Sequence, residues 1–66
     1  MKVTVNDKVM TLDGPCTVAM LLDQLGLAGA PCAVEVNRDL VPKSRHAGCE
    51  LTPGDTVEIV TLVGGG

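Results

Sequence analysis

The sequence predicts a two-layer α+β fold, with one short helix laid on one face of a mixed sheet of four to five strands. Three observations carry this. Apolar and polar residues alternate with period 2 near both ends of the chain, at 2–6 and 56–63. A single stretch, 17–25, has helical period, with Val18, Leu21, Leu22 and Leu25 at i, i+3, i+4 and i+7. With 66 residues there is room for one domain only, and a domain near that size buries only about 60% of the surface its unfolded chain exposes.

Each element follows from local chemistry. Val3 and Val5 alternate with Lys2 and Thr4 in the first strand. Asn6-Asp7 supplies a turn, because both side chains tolerate positive φ. Val9 to Leu12 resumes β-favouring residues, and Asp13-Gly14-Pro15 ends them. The Thr17 hydroxyl can cap the helix, and Gly26 stands where a left-handed C-terminal cap falls. So short a helix must pack its stripe on a sheet. Cys32 to Asn37 forms the next strand, with Val34 and Val36 on one face and Glu35 on the other. Asn37-Arg38-Asp39 turns into a short strand at Leu40-Val41, stopped by Pro42. Residues 43–50 have no period and read as loop with a turn of helix. Thr52-Pro53-Gly54-Asp55 is a tight turn, with Asp55 fixing it through its own backbone neighbours. The last strand, 56–63, directs Val57 and Ile59 to the helix and Glu58, Val60 and Leu62 away from it. The expected core is Val3, Val5, Val18, Leu21, Leu22, Leu25, Val34, Val36, Val57 and Ile59. The first and last strands should be parallel neighbours at the sheet centre.

Composition narrows the function. The chain has no Phe, Trp or Tyr, so bases would find no aromatic platform. Net charge is −3, and the five basic residues are spread out. Nucleic acid and anionic membranes are therefore not expected partners, whereas a basic face on a protein is compatible. No apolar run approaches the ~20 residues of a membrane helix. The opening residues read as a strand rather than a leader, so a cytoplasmic protein is expected. Cys16, Cys32 and Cys49 are odd in number and lack a Cys-x-x-Cys pair, so free thiols are expected and a metal site is not. His46 reads as a surface histidine without chemistry, and Arg38, Lys43 and Arg45 as solvated charge. No acid, base and nucleophile are spaced as a catalytic set, so the chain is not expected to be an enzyme.

The C-terminal glycines stand apart. Glycine loses more entropy on ordering than any other residue, and three follow the strongest strand directly. A frayed end is the bland reading. The alternative is a tail that threads a partner's active site, where bare backbone passes a narrow channel. Residues 54–66, Gly-Asp-Thr-Val-Glu-Ile-Val-Thr-Leu-Val-Gly-Gly-Gly, resemble the C-terminus of the ThiS family of thiamine sulfur carriers. The segments Val36-Asn37 to Leu40-Val41-Pro42, Val5-Asn6-Asp7, and Thr17-Val18 to Leu25 are similar to the same family.

That resemblance implies a β-grasp, ubiquitin-like domain at 1–63 and a flexible tail at 64–66. It implies that Gly66 is adenylated and converted to a thiocarboxylate and that Gly64 and Gly65 thread the partner's site. Val60 and Leu62, facing away from the helix in register beside the tail, read as a docking patch rather than as ordinary exposed apolar residues. The implied partners are a ThiF-type adenylating enzyme that uses ATP, a ThiG-type thiazole synthase and a cysteine desulfurase system. No cofactor is expected on the chain itself. The sequence departs from the family where aromatics are common, with His46, Ala47 and Leu62 in those places. The departure bears on partner contacts, since Gly65 and Gly66 are intact. A carrier for molybdopterin or tRNA thiolation, or a non-covalent ubiquitin-like module, are the alternatives.

Overall fold

A computed structural model describes residues 1–62. Five strands form one mixed sheet: β1 (Lys2–Val5), β2 (Lys8–Thr11), β3 (Cys32–Val36), β4 (Asp39–Val41) and β5 (Thr56–Thr61). Their order is β2-β1-β5-β3-β4. One helix, α1 (Val18–Gln24), and a 3-10 turn (Lys43–Arg45) complete the elements among the described residues. β5 is central and runs parallel to β1, with Thr4 opposite Thr56 and Val5 opposite Val57. It runs antiparallel to β3, from Cys32 opposite Thr61 to Val36 opposite Val57.

Both hairpins turn on two left-handed residues: Asn6 and Asp7 at φ 48° and 68°, Asn37 and Arg38 at 52° and 71°. Such turns match the twist of the strands they join. In the turn before β5, Pro53 precedes Gly54 at φ +88°, and the Asp55 N–H donates to the Thr52 carbonyl. That is the order of a type II turn.

α1 is closed at both ends. The Thr17 hydroxyl accepts from Met20 N–H. Val18 and Ala19 N–H donate to the carbonyls of Cys49 and His46. The aperiodic stretch 43–50 therefore has a structural task, because first-turn N–H groups have no partner inside a helix. At the other end Gly26 takes φ +74°. Gly26 N–H reaches Asp23 O and Leu27 N–H reaches Leu22 O, the paired bonds of a Schellman cap.

The core lies between α1 and the inner sheet face. Val3, Val5, Val18, Leu21, Leu22, Val34, Val57 and Ile59 are buried there, as the alternation predicts. Leu25 is not: it is the C-cap residue, turned out past the last helical turn, and is 38% exposed. Val36, at the hairpin end of β3, is only half-buried. Leu12, Cys16 and Leu51 complete the core from positions outside the regular elements. Element ends differ from expectation by one or two residues: β2 begins at Lys8 and stops at Thr11, and β5 stops at Thr61. The expected last strand residue, Val63, and the domain–tail boundary lie outside the described residues.

Candidate functional site

β1 ends at Val5, so backbone pairing on that side of β5 ends early. Asn6 N–H still donates to Val57 O. Beyond that point the Asn6 side chain replaces a strand. Its Oδ1 accepts from Ile59 N–H at 2.8 Å, and its Nδ2 donates to Ile59 O at 3.0 Å. One amide thus satisfies both backbone groups of a residue in the central strand. On the other side, Leu62 N–H donates to Pro31 O at 2.9 Å, continuing the β3 edge one residue past β5. The strand leading to the glycines is therefore held on both sides near its end.

Val60 lies on the sheet face away from α1, opposite Ala33 of β3, and is 59% exposed. Leu62 is also exposed, but the simple alternation does not carry to it. It lies after the strand and borders a cleft of about 240 Å³ with Leu22, Ala30, Pro31, Cys32 and His46. Gly64, Gly65 and Gly66 lie outside the described residues.

His46 corrects the sequence reading. It is buried, with Nε2 3.0 Å from the Val41 carbonyl. A carbonyl only accepts, so Nε2 carries the proton and the ring ties the 3-10 turn to β4. Nothing in the spacing marked it, because its partner is backbone.

Asp55 fixes its turn as expected. Its carboxylate accepts from Thr52 N–H at 2.8 Å, Thr52 Oγ1 at 2.9 Å and Asn37 Nδ2 at 2.9 Å. Burial pushes its pKa up, but these hydrogen bonds outweigh burial and hold it below the ordinary carboxylate value. Asn37 in turn accepts from Thr56 N–H, joining the β3–β4 hairpin to the start of β5.

The three cysteines are free thiols. Cys16 is a core residue whose Sγ–H faces the Thr17 carbonyl, and burial pushes its pKa up. Cys32 and Cys49 are half-buried. Among the described residues no three His, Cys, Asp or Glu side chains are grouped to hold a metal, and no helix is long and apolar enough to cross a membrane.

One helix on a mixed sheet, with the first and last strands parallel at its middle, defines the β-grasp class to which ubiquitin belongs. The family model for ThiS matches residues 3–66, and the chain belongs to the ThiS family. It is similar to the thiamine biosynthesis protein (ThiS) of Geobacter metallireducens. The crystal structure of that protein matches with a TM-score of 0.83 at 35% identity, covering 100% of both chains. Its solution NMR structure gives 0.80 at 35% identity, over 100% of this chain and 88% of that one. A thiazole synthase of Paramagnetospirillum magneticum is 39% identical over 66 residues, all of this chain, which spans 20% of that relative's length.

Proposed function

We propose that this chain is a sulfur carrier for thiazole formation in thiamine biosynthesis, with Gly66 as the residue that is activated. The observation that carries this reading is the family match, which runs through the glycines to residue 66. The likeness to a thiazole synthase supports a ThiG-type acceptor of the sulfur.

The chemistry needs a partner's help because a carboxylate is a poor electrophile. On a ThiF-type enzyme, a Gly66 carboxylate oxygen attacks the α-phosphorus of ATP and pyrophosphate leaves. The acyl-adenylate then has AMP as a good leaving group. A persulfide sulfur from a cysteine desulfurase system displaces AMP to give an acyl disulfide; a second thiol then attacks the donor's sulfur, forming a disulfide with it and releasing the thiocarboxylate. That group is ionised near neutral pH and is a soft nucleophile toward the thiazole precursor. The carrier is a co-substrate in this scheme, holds no cofactor and works in the cytoplasm.

The carrier's own contribution is delivery. Four residues follow Leu62, and at full extension they span about 13–14 Å. The adenylating site must therefore lie close to the carrier's surface. The clamps on Ile59 and Leu62 hold the strand from which the tail departs, and Gly64 and Gly65 present only backbone to the channel. Val60 and Leu62 flank the tail's origin and contribute to docking.

The test is ATP–pyrophosphate exchange with the adenylating enzyme from the same organism. Exchange should require the carrier and be lost when Gly66 is deleted, because attack geometry does not tolerate a retreat of ~3.3–3.6 Å. Exchange that survives the deletion would contradict the proposal.

A further inference from the structure

The sheet face turned away from α1 carries a local conflict. Glu35 of β3 and Glu58 of β5 are direct cross-strand partners. Directly opposed side chains stand with Cβ atoms about 4.5–5.5 Å apart, and like charges there are destabilising. Glu35 is moreover half-buried, which makes the opposition of two carboxylates less favourable still. Toward β4 and toward the end of β5 the neighbours are apolar, whereas Thr56 shares the face two residues before Glu58. Leu40 of β4 is paired with Glu35 and is 67% exposed. Val60 follows Glu58 by two residues on the same face, with Ala33 opposite it. Two carboxylates thus sit between exposed Leu40 and Val60, with half-buried Ala33 beside Val60.

Resting on the carrier reading, we propose that this face docks a protein partner presenting one arginine within an apolar patch, the guanidinium lodging between Glu35 and Glu58. A guanidinium has donors on two edges and can serve two neighbouring carboxylates, where an ammonium offers a single point of charge. Apolar groups around the arginine would cover Leu40 and Val60. The tail's ~13–14 Å reach keeps a partner's reactive centre close to the surface around Leu62, and Val60 of this face stands two residues before it. The like-charge pair is then a feature of docking at the expense of the free fold.

The experiment is calorimetric titration of the carrier into the adenylating enzyme without ATP, at low and high salt. Glu35→Gln/Glu58→Gln should weaken binding about tenfold or more at low salt and remove most of the salt dependence. Its thermal midpoint should equal or exceed that of the wild type. Leu40→Ser should weaken binding without changing the salt dependence. Unchanged binding by the double variant overturns the proposal, as does weakened binding that merely tracks a lower midpoint. Absence of wild-type binding, or self-association of the carrier that the double variant abolishes, overturns it too. Because ATP is omitted, the carrier reading is scored separately: binding retained with no pyrophosphate exchange defeats that reading alone.

Discussion

Replacing Asn6 should destabilise the domain through a route that two substitutions can separate. The Asn6 amide makes two hydrogen bonds to Ile59 backbone atoms, at 2.8 and 3.0 Å. Each is worth about 0.5–1.5 kcal/mol net, so Asn6→Gly should cost about 1–3 kcal/mol. Asn6 also sits at φ 48°, which glycine adopts freely. Alanine does not, so Asn6→Ala should cost a further ~1–2 kcal/mol. A domain of this size has only about 3–10 kcal/mol of stability in total, at roughly 0.05–0.15 kcal/mol per residue. Urea unfolding reads both effects. With a slope near 1 kcal/mol/M, the midpoint should fall by about 1–3 M for Gly and by about 1–2 M more for Ala. A glycine variant as stable as wild type would show that the amide does not hold the central strand. Equal losses for Gly and Ala would show that the turn geometry contributes nothing.

Other consequences follow from burial and titration. Leu21 is fully buried under the helix, so Leu21→Ala should cost about 2–5 kcal/mol; with each kcal/mol worth about 4–8 °C, a thermal melt reads it easily. Leu25→Ala, at the exposed cap, should cost less than about 1 kcal/mol on the same melt. The depressed pKa of Asp55 makes its contribution to stability complete above the unfolded value of ~3.9 and lost as pH falls through the folded value. Asp55→Asn should therefore flatten the acid limb of a stability–pH curve, and an unchanged limb would contradict the hydrogen-bond account. Cys16 should resist alkylation in the folded protein while Cys32 and Cys49 react, and labelling of all three at one rate would contradict its place in the core.

The regular elements were legible because their periods differ. Val3/Val5 and Val57/Ile59 alternate, whereas Val18/Leu21/Leu22 follow a helix, and each set buries the face its period implies. The turns were legible through Asn6, Asn37 and Gly54, whose chemistry permits positive φ. Residues 46–50 were opaque, since the His46 and Cys49 carbonyls cap α1 and carry no side-chain pattern. His46 was misread for that reason, and Leu12, Cys16 and Leu51 because isolated apolar residues in loops have no period to follow. Asn6 was recognised as a turn residue but not as a strand substitute. That role depends on where β1 stops beside β5, fifty-three positions along the chain. The tail was read from composition and from likeness to the ThiS family, a family to which the chain belongs.

The most direct test of the carrier mechanism is the mass of the C-terminal peptide after incubation with the adenylating enzyme, ATP and a persulfide source. The mechanism predicts a gain equal to exchanging one oxygen for sulfur, confined to the peptide ending in Gly66. The gain should persist when Cys16, Cys32 and Cys49 are all serine, and vanish when Gly66 is removed. A gain of a whole sulfur atom that follows the cysteines instead would make the cargo a persulfide, and the proposed carrier chemistry would be wrong.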